Sequence, residues 1–124
     1  MPSPKANKRK GKAFEVALRN YLRDLTGLDE DITNAVGSEN AVDIKLSPAA
    51  RKVLPLSIEA KNRRGLDIPA WMRQAESNTL PGTRPCVVLK NPRQPIGDSI
   101  VIMRLDDLLG FLGLPTQEND NEEE

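Results

Sequence analysis

A mixed β-sheet packed between helices is the fold class that this 124-residue sequence predicts. Three observations carry that expectation. Two neighbouring segments, "AVDIKL" and "VLPLSIEAK", alternate apolar and polar residues with the period of two that a strand imposes. A stretch with helical three-and-four spacing precedes them. A second helical stretch separates them from "CVVLK", an uncharged, β-branched run that suits a buried strand. At this length one domain with one modest core is expected.

The elements read in order as follows. Residues 1–9 are polar and basic with two prolines, and are expected to form a disordered basic arm. A helix is predicted over 10–26, where Phe14, Ala17, Leu18, Tyr21, Leu22 and Leu25 share one face and Gly27 supplies the C-terminal stop. "DITNAV" is a weak strand candidate. In 41–46, Val42, Ile44 and Leu46 share one side, with Asp43 and Lys45 on the other. "SPAARK" reads as a six-residue connection. In the next strand Leu54, Leu56, Ile58 and Ala60 form the apolar side, opposite Pro55, Ser57, Glu59 and Lys61. Two alternating strands around a short loop predict an antiparallel hairpin. If their apolar sides coincide, Asp43 and Glu59 emerge together on the opposite side. "NRRGL" is a loop, and Asp67 can cap a second helix that tolerates Pro69 in its first turn and runs to about 78. "CVVLK" and "SIVIMR" are further strands, "LDDLLGFLG" a short final helix, and 116–124 a disordered acidic tail. The order is α-β-β-β-α-β-β-α.

Composition narrows the chemistry. Aromatic residues make up 3%, so the core must be aliphatic. The single cysteine, Cys86, excludes an internal disulfide and reads as a small buried residue. No stretch resembles a signal peptide or a membrane span, so a cytoplasmic protein is expected. The net charge of zero hides an uneven distribution. "QENDNEEE" carries five acids, and without it 18 basic residues face 13 acidic ones, a balance of +5. Lys5, Lys8, Arg9, Lys10 and Lys12 crowd the first twelve residues with no acid among them. A basic arm and an acidic tail suggest contact with a polyanion, or two solvated termini. With no histidine in the chain, His-based triads, His-ligated zinc and an imidazole base are all excluded. Chemistry here has to use carboxylates, lysines and a hard metal.

One constellation meets that requirement. Glu59 and Lys61 lie two apart on a strand and point the same way, and Asp43 on the neighbouring strand can bring a second carboxylate beside Glu59. Two close carboxylates repel unless a cation sits between them. Magnesium takes such oxygen ligands and keeps open positions for water and phosphate. A lysine alongside can orient the attacking water or neutralise a phosphorane. Read separately, an acid-x-lysine pair on a strand is ordinarily a solvated edge.

"VD" (Val42, Asp43), fifteen residues, and then "EAK" (Glu59, Ala60, Lys61) resembles the signature of the PD-(D/E)XK nuclease superfamily. The α-β-β-β-α-β order over residues 10–90 is similar to the restriction-endonuclease-like core, although the proline before the aspartate is missing. "RKGKAFEVALRNYL" resembles the first helix of archaeal-type and phage Holliday junction resolvases, with Glu15 at the position of an acidic site residue. The resemblance implies a nuclease domain over 10–115. It also implies a magnesium-dependent DNA endonuclease, structure-selective and dimeric, in a bacterial, archaeal or phage-infected cell. Manganese would substitute, and no organic cofactor or membrane is involved. Asp43 and Glu59 would ligate the metal with the Ala60 carbonyl and Glu15, and Lys61 would act on water. Ser38, after Gly37, would lie near the scissile phosphate. Lys8, Arg9, Lys10, Lys12, Arg63 and Arg64 would hold DNA through its phosphates. RecB-like relatives carry an aromatic-x-x-Gln at the place of Trp71 and Gln74. Helical spacing instead turns Trp71, Met72 and Ala75 to the core and leaves Gln74 in solvent. Glu15 has an ordinary alternative too, an i,i+4 pair with Arg19. A nicking or repair nuclease of the same fold, a non-catalytic DNA-binding module and an unrelated interaction domain are the rival readings.

Overall fold

Alternation becomes sheet and helical stripes become its cover. The computed structural model describes residues 4–36 and 42–116, with side chains from residue 9 onward. Helix α1 (Pro4–Thr26) leads into strands β1 (Ile32–Asn34) and β2 (Ile44–Leu46). Helix α2 (Pro48–Val53), strand β3 (Leu56–Lys61), helix α3 (Ile68–Ser77) and strand β4 (Arg84–Leu89) follow. A 3₁₀ turn (Ile96–Asp98), strand β5 (Ile100–Ile102) and helix α4 (Leu105–Phe111) are the last elements among the described residues. The five strands form one sheet in the order β1-β2-β3-β4-β5. Only β3 and β4 are parallel, as the α3 crossover between them requires. The result is the expected α/β architecture, a mixed sheet flanked by helices.

The predicted hairpin is present: β2 and β3 run antiparallel with Ile44 opposite Ile58. The apolar sides of both strands meet Phe14 and Leu18 of α1 in one buried layer that also holds Ile32, Ala50 and Cys86. On the other side of the sheet, Trp71, Met72 and Ala75 of α3 pack on Val87. Cys86 is fully buried as expected, and burial pushes its thiol up to about 12.

Three expectations need correction. First, α1 starts at Pro4 rather than residue 10, so residues 4–9 continue the helix instead of forming a disordered arm. Proline is accommodated at a helix start, and alanine, lysine and arginine extend it readily. Second, "SPAARK" is not an irregular connection. Ser47 caps α2 by accepting from the Ala50 N–H at 3.1 Å, and Pro48 occupies the first turn. The same Ser47 hydroxyl donates to Asp31 at 2.7 Å, tying this cap to the chain entering β1. Third, Thr116, expected in the disordered tail, is buried. The apolar stripe of α1 is also narrower than its spacing implied. Phe14 and Leu18 are buried, while Ala17, Tyr21 and Leu25 are exposed. Tyr21 leans on the 3₁₀ turn, where a Cβ on Gly97 would come within 2.9 Å of its hydroxyl. Gly27 ends α1 at φ +72°, its N–H donating to the Arg23 carbonyl.

Candidate active site

The polar side of β3 differs residue by residue. Ser57 is buried but satisfied: it shares a 2.6 Å hydrogen bond with Thr83 and accepts from the Leu80 N–H at 2.9 Å. Glu59, one strand repeat further on, is 2% exposed, and while it is ionised its Oε2 meets no N–H or O–H donor. A buried carboxyl oxygen without a partner costs stability and needs a reason to persist. Its surroundings supply one.

Asp43 sits just before β2, where its N–H donates to the Ile58 carbonyl at 3.2 Å. That bond continues the hairpin register and puts the Asp43 side chain beside Glu59, as parity demanded. Asp43 Oδ2 accepts from the Ala60 N–H at 2.8 Å, so the carboxylate is fixed by the strand that carries Glu59. Glu15 reaches the same place from α1. Its expected helical partner, Arg19, donates instead to Asn20 Oδ1. Burial first, then a hydrogen bond with Asp43 and the charge of that group, push Glu15 up to about 7, against the pull of Lys12 and Lys61. Burial and then the charge of Asp43 push Glu59 up to about 8, with Lys61 opposing and a proton shared with Asp43 adding to the rise. At neutral pH, therefore, this acidic group retains protons that solvated carboxyls would have lost.

Lys61 completes the set. Its Nζ donates to Gln74 Oε1 at 3.0 Å, lies 3.8 Å from Glu59 Oε1 and stands 5.9 Å above the Trp71 ring. Only 12% of its side chain is exposed, so a hydrogen bond, the neighbouring Glu59 carboxyl and an aromatic face hold the ammonium in one position. Trp71, Met72 and Ala75 face the core as the helical spacing required. Gln74, expected in solvent, is exposed yet is engaged with Lys61.

These residues line one open cleft of about 480 Å³, bounded by Glu15, Asp43, Glu59, Ala60, Lys61 and Gln74 with Gly11, Lys12, Asn62 and Arg63 at its rim. Lys12 donates to the Ala35 carbonyl at 3.3 Å. Lys10 lies in an adjoining groove, where its carbonyl accepts from Asn62. Arg9 and Arg64 are exposed. Gly37, Ser38 and the Lys8 side chain lie outside the described residues.

One contributor escaped the sequence reading. Asn34 Nδ2 donates to the backbone carbonyls of Glu15, at 3.2 Å, and Asp43, at 3.3 Å. A single amide thus fastens α1 to β2 at the two residues whose carboxyls meet. Its parity with Ile32 in "ITN" was the available signal, since both had to point inward.

The donor set fits a hard divalent cation. It offers carboxylate oxygens, one of them buried and unpartnered, and protons occupy positions where a cation would relieve the repulsion. Among the described residues, no three acidic or thiol side chains are arranged as a ready-made metal cage. A site that takes one or two carboxylates and completes its shell with water and phosphate does not need one. Comparison with protein-family models, curated proteins and solved structures finds no match to this chain.

Proposed function

We propose that this protein is a metal-dependent DNA endonuclease with a restriction-endonuclease-like core. The observation that carries the reading is Glu59: a buried carboxyl with an unpartnered oxygen, set beside Asp43 and an immobilised lysine in a cleft rimmed by Lys12 and Arg63. The element order and the antiparallel hairpin carrying Asp43 and Glu59 support the same core.

Asp43 and Glu59 would hold magnesium, or manganese in its place, with Glu15 and the Ala60 carbonyl as further donors. When bound, the ion would acidify a water and polarise the scissile phosphoryl oxygen. Lys61, held by Gln74 and Glu59, would orient the attacking water or neutralise charge gathering on the phosphate. Lys12 and Arg63 at the rim would take flanking phosphates, which gives affinity without sequence preference. Contacts to phosphates alone favour recognition of DNA structure over sequence, with a branched junction as the substrate. Paired cuts on opposing strands then call for a second copy of the chain.

Cleavage of a synthetic four-way junction, its matching duplex and a single strand tests this, run with magnesium, with EDTA, and with Glu59→Gln and Lys61→Ala. Paired, metal-dependent cuts on the junction that vanish in both variants are expected. Equal cleavage of all substrates would keep the nuclease and discard junction selectivity, leaving a nicking or repair enzyme. Binding without cleavage, unchanged in both variants, would leave a DNA-binding module.

A further inference from the structure

The far edge of the sheet is apolar where an edge is ordinarily blunted. Strand β5 ends the sheet, with no strand on its outer side among the described residues. Seven of the thirteen exposed large apolar side chains in those residues fall between 100 and 114, so this surface is a patch and not a scatter. Val101 is 55% exposed on the strand. Leu105 and Leu112, 68% and 66% exposed, line one stripe of α4 with Leu108 between them. An exposed apolar edge is a template for another strand.

The sequence of that edge says which strand fits. From Asp98 to Arg104 it reads "DSIVIMR", nearly symmetric about Val101 in hydropathy and opposite in charge at its two ends. In an antiparallel pairing of β5 with itself about Val101, Ile100 faces Ile102, and the end of the strand that follows Asp98 of the 3₁₀ turn meets the end that leads to Arg104 of the second copy, twice over by symmetry. Opposite charges brought close at the two ends of the pairing are favourable, and like charges are not. Residues 117–124, "QENDNEEE", have no apolar side chain with which to cover the patch. Asp98, Asp106 and Asp107 around it disfavour nucleic acid.

We infer that two copies of this chain associate through β5 and α4, extending the sheet across a two-fold axis. The surface identifies the second copy that junction cleavage calls for, and in that respect rests on the proposed function. Its own grounds are the edge, the patch and the charge pattern. A standard interface covers about 800 Å² per partner, which requires α4 to take part beside so short a strand.

Sedimentation equilibrium of the full chain across a range of concentrations, at moderate salt and without DNA, tests the inference. A dimer is expected. Val101→Lys combined with Leu112→Glu should weaken association at least about tenfold, with the circular dichroism spectrum unchanged because both positions are exposed. Asp98→Arg alone should weaken it, since it sets arginine against Arg104 at both ends. Adding Arg104→Asp should restore it; the exposed Arg104–Glu76 bond lost in that variant adds little to the fold. A monomer at every concentration, or a dimer indifferent to all these changes, would overturn the inference. A monomer would also remove the second copy that paired cuts call for, whereas metal-dependent cleavage lost in Glu59→Gln remains a separate test of the nuclease reading.

Discussion

Replacing Glu59 with glutamine should stabilise the metal-free protein while abolishing cleavage. Glutamine keeps the shape of the side chain and removes the charge that burial and Asp43 penalise. In the unfolded chain this carboxyl titrates near its ordinary 4.5, and in the folded protein near 8. Below pH 4.5 both states are protonated and the carboxyl costs nothing. As pH rises toward 8 the unfolded state sheds a proton that the folded state keeps, and stability falls with each unit. At pH 7 the gap corresponds to about 3 kcal/mol. Water in the open cleft and proton sharing with Asp43 and Glu15 reduce this, so Glu59→Gln is expected to gain roughly 1–3 kcal/mol at pH 7. The gain should shrink toward zero near pH 4.5 and grow toward pH 8. Urea denaturation in EDTA at pH 5, 7 and 8 measures it directly. Added magnesium should narrow the difference, because binding to the folded state stabilises the wild type alone. A variant less stable than wild type at pH 7, or a difference flat across pH, would refute the reasoning, since the carboxyl would then be ionised and satisfied.

Other expectations follow from the same cleft. Lys61→Met should lower the single-turnover cleavage rate by roughly 10²–10⁴-fold while junction binding, read by gel shift, changes little. Lys12→Ala and Arg63→Ala should each reduce the slope of log affinity against log salt by about 1, in fluorescence anisotropy titrations of DNA. Asn34→Leu should cost about 0.5–1.5 kcal/mol in denaturation by removing the second donor on the Glu15 and Asp43 carbonyls, the first being a backbone N–H in each case, and should slow cleavage with the two carboxyls no longer fastened together.

The strands that carry the acids were legible because their alternation is local. Asp43 and Glu59 share a side by parity alone, and the Asp43–Ala60 hydrogen bond is the register that parity implies. What parity could not convey is that Glu59 is buried. That depends on α3 crossing over its side of β3, so a residue polar in pattern becomes one of the most enclosed in the chain. Gln74 is exposed, as its place on the helix implied, and its contact with Lys61 was hidden for the same reason. Exposure on its own helix says nothing of a lysine arriving from a strand. The start of α1 was lost to the two early prolines, although one of them sits where a helix accepts it. The cap at Ser47 was visible in "SPAA", but so short a helix has little periodicity to announce it. Asn34 lay in a three-residue strand, too brief for alternation to stand out.

The lone cysteine gives this protein a built-in clock. Cys86 sits in β4 between both layers, fully enclosed, and its thiol is held near 12, so the reactive thiolate is scarce while the sheet is closed. A thiol reagent can therefore modify it only when β4 is released. With opening and reclosing fast relative to modification, the labelling rate reports the free energy of that opening. No tag or substitution is needed, and the same signal can be followed as magnesium, DNA or a second copy is added. Each ligand's hold on the sheet would be read as a slowing of one chemical reaction at one sulfur atom.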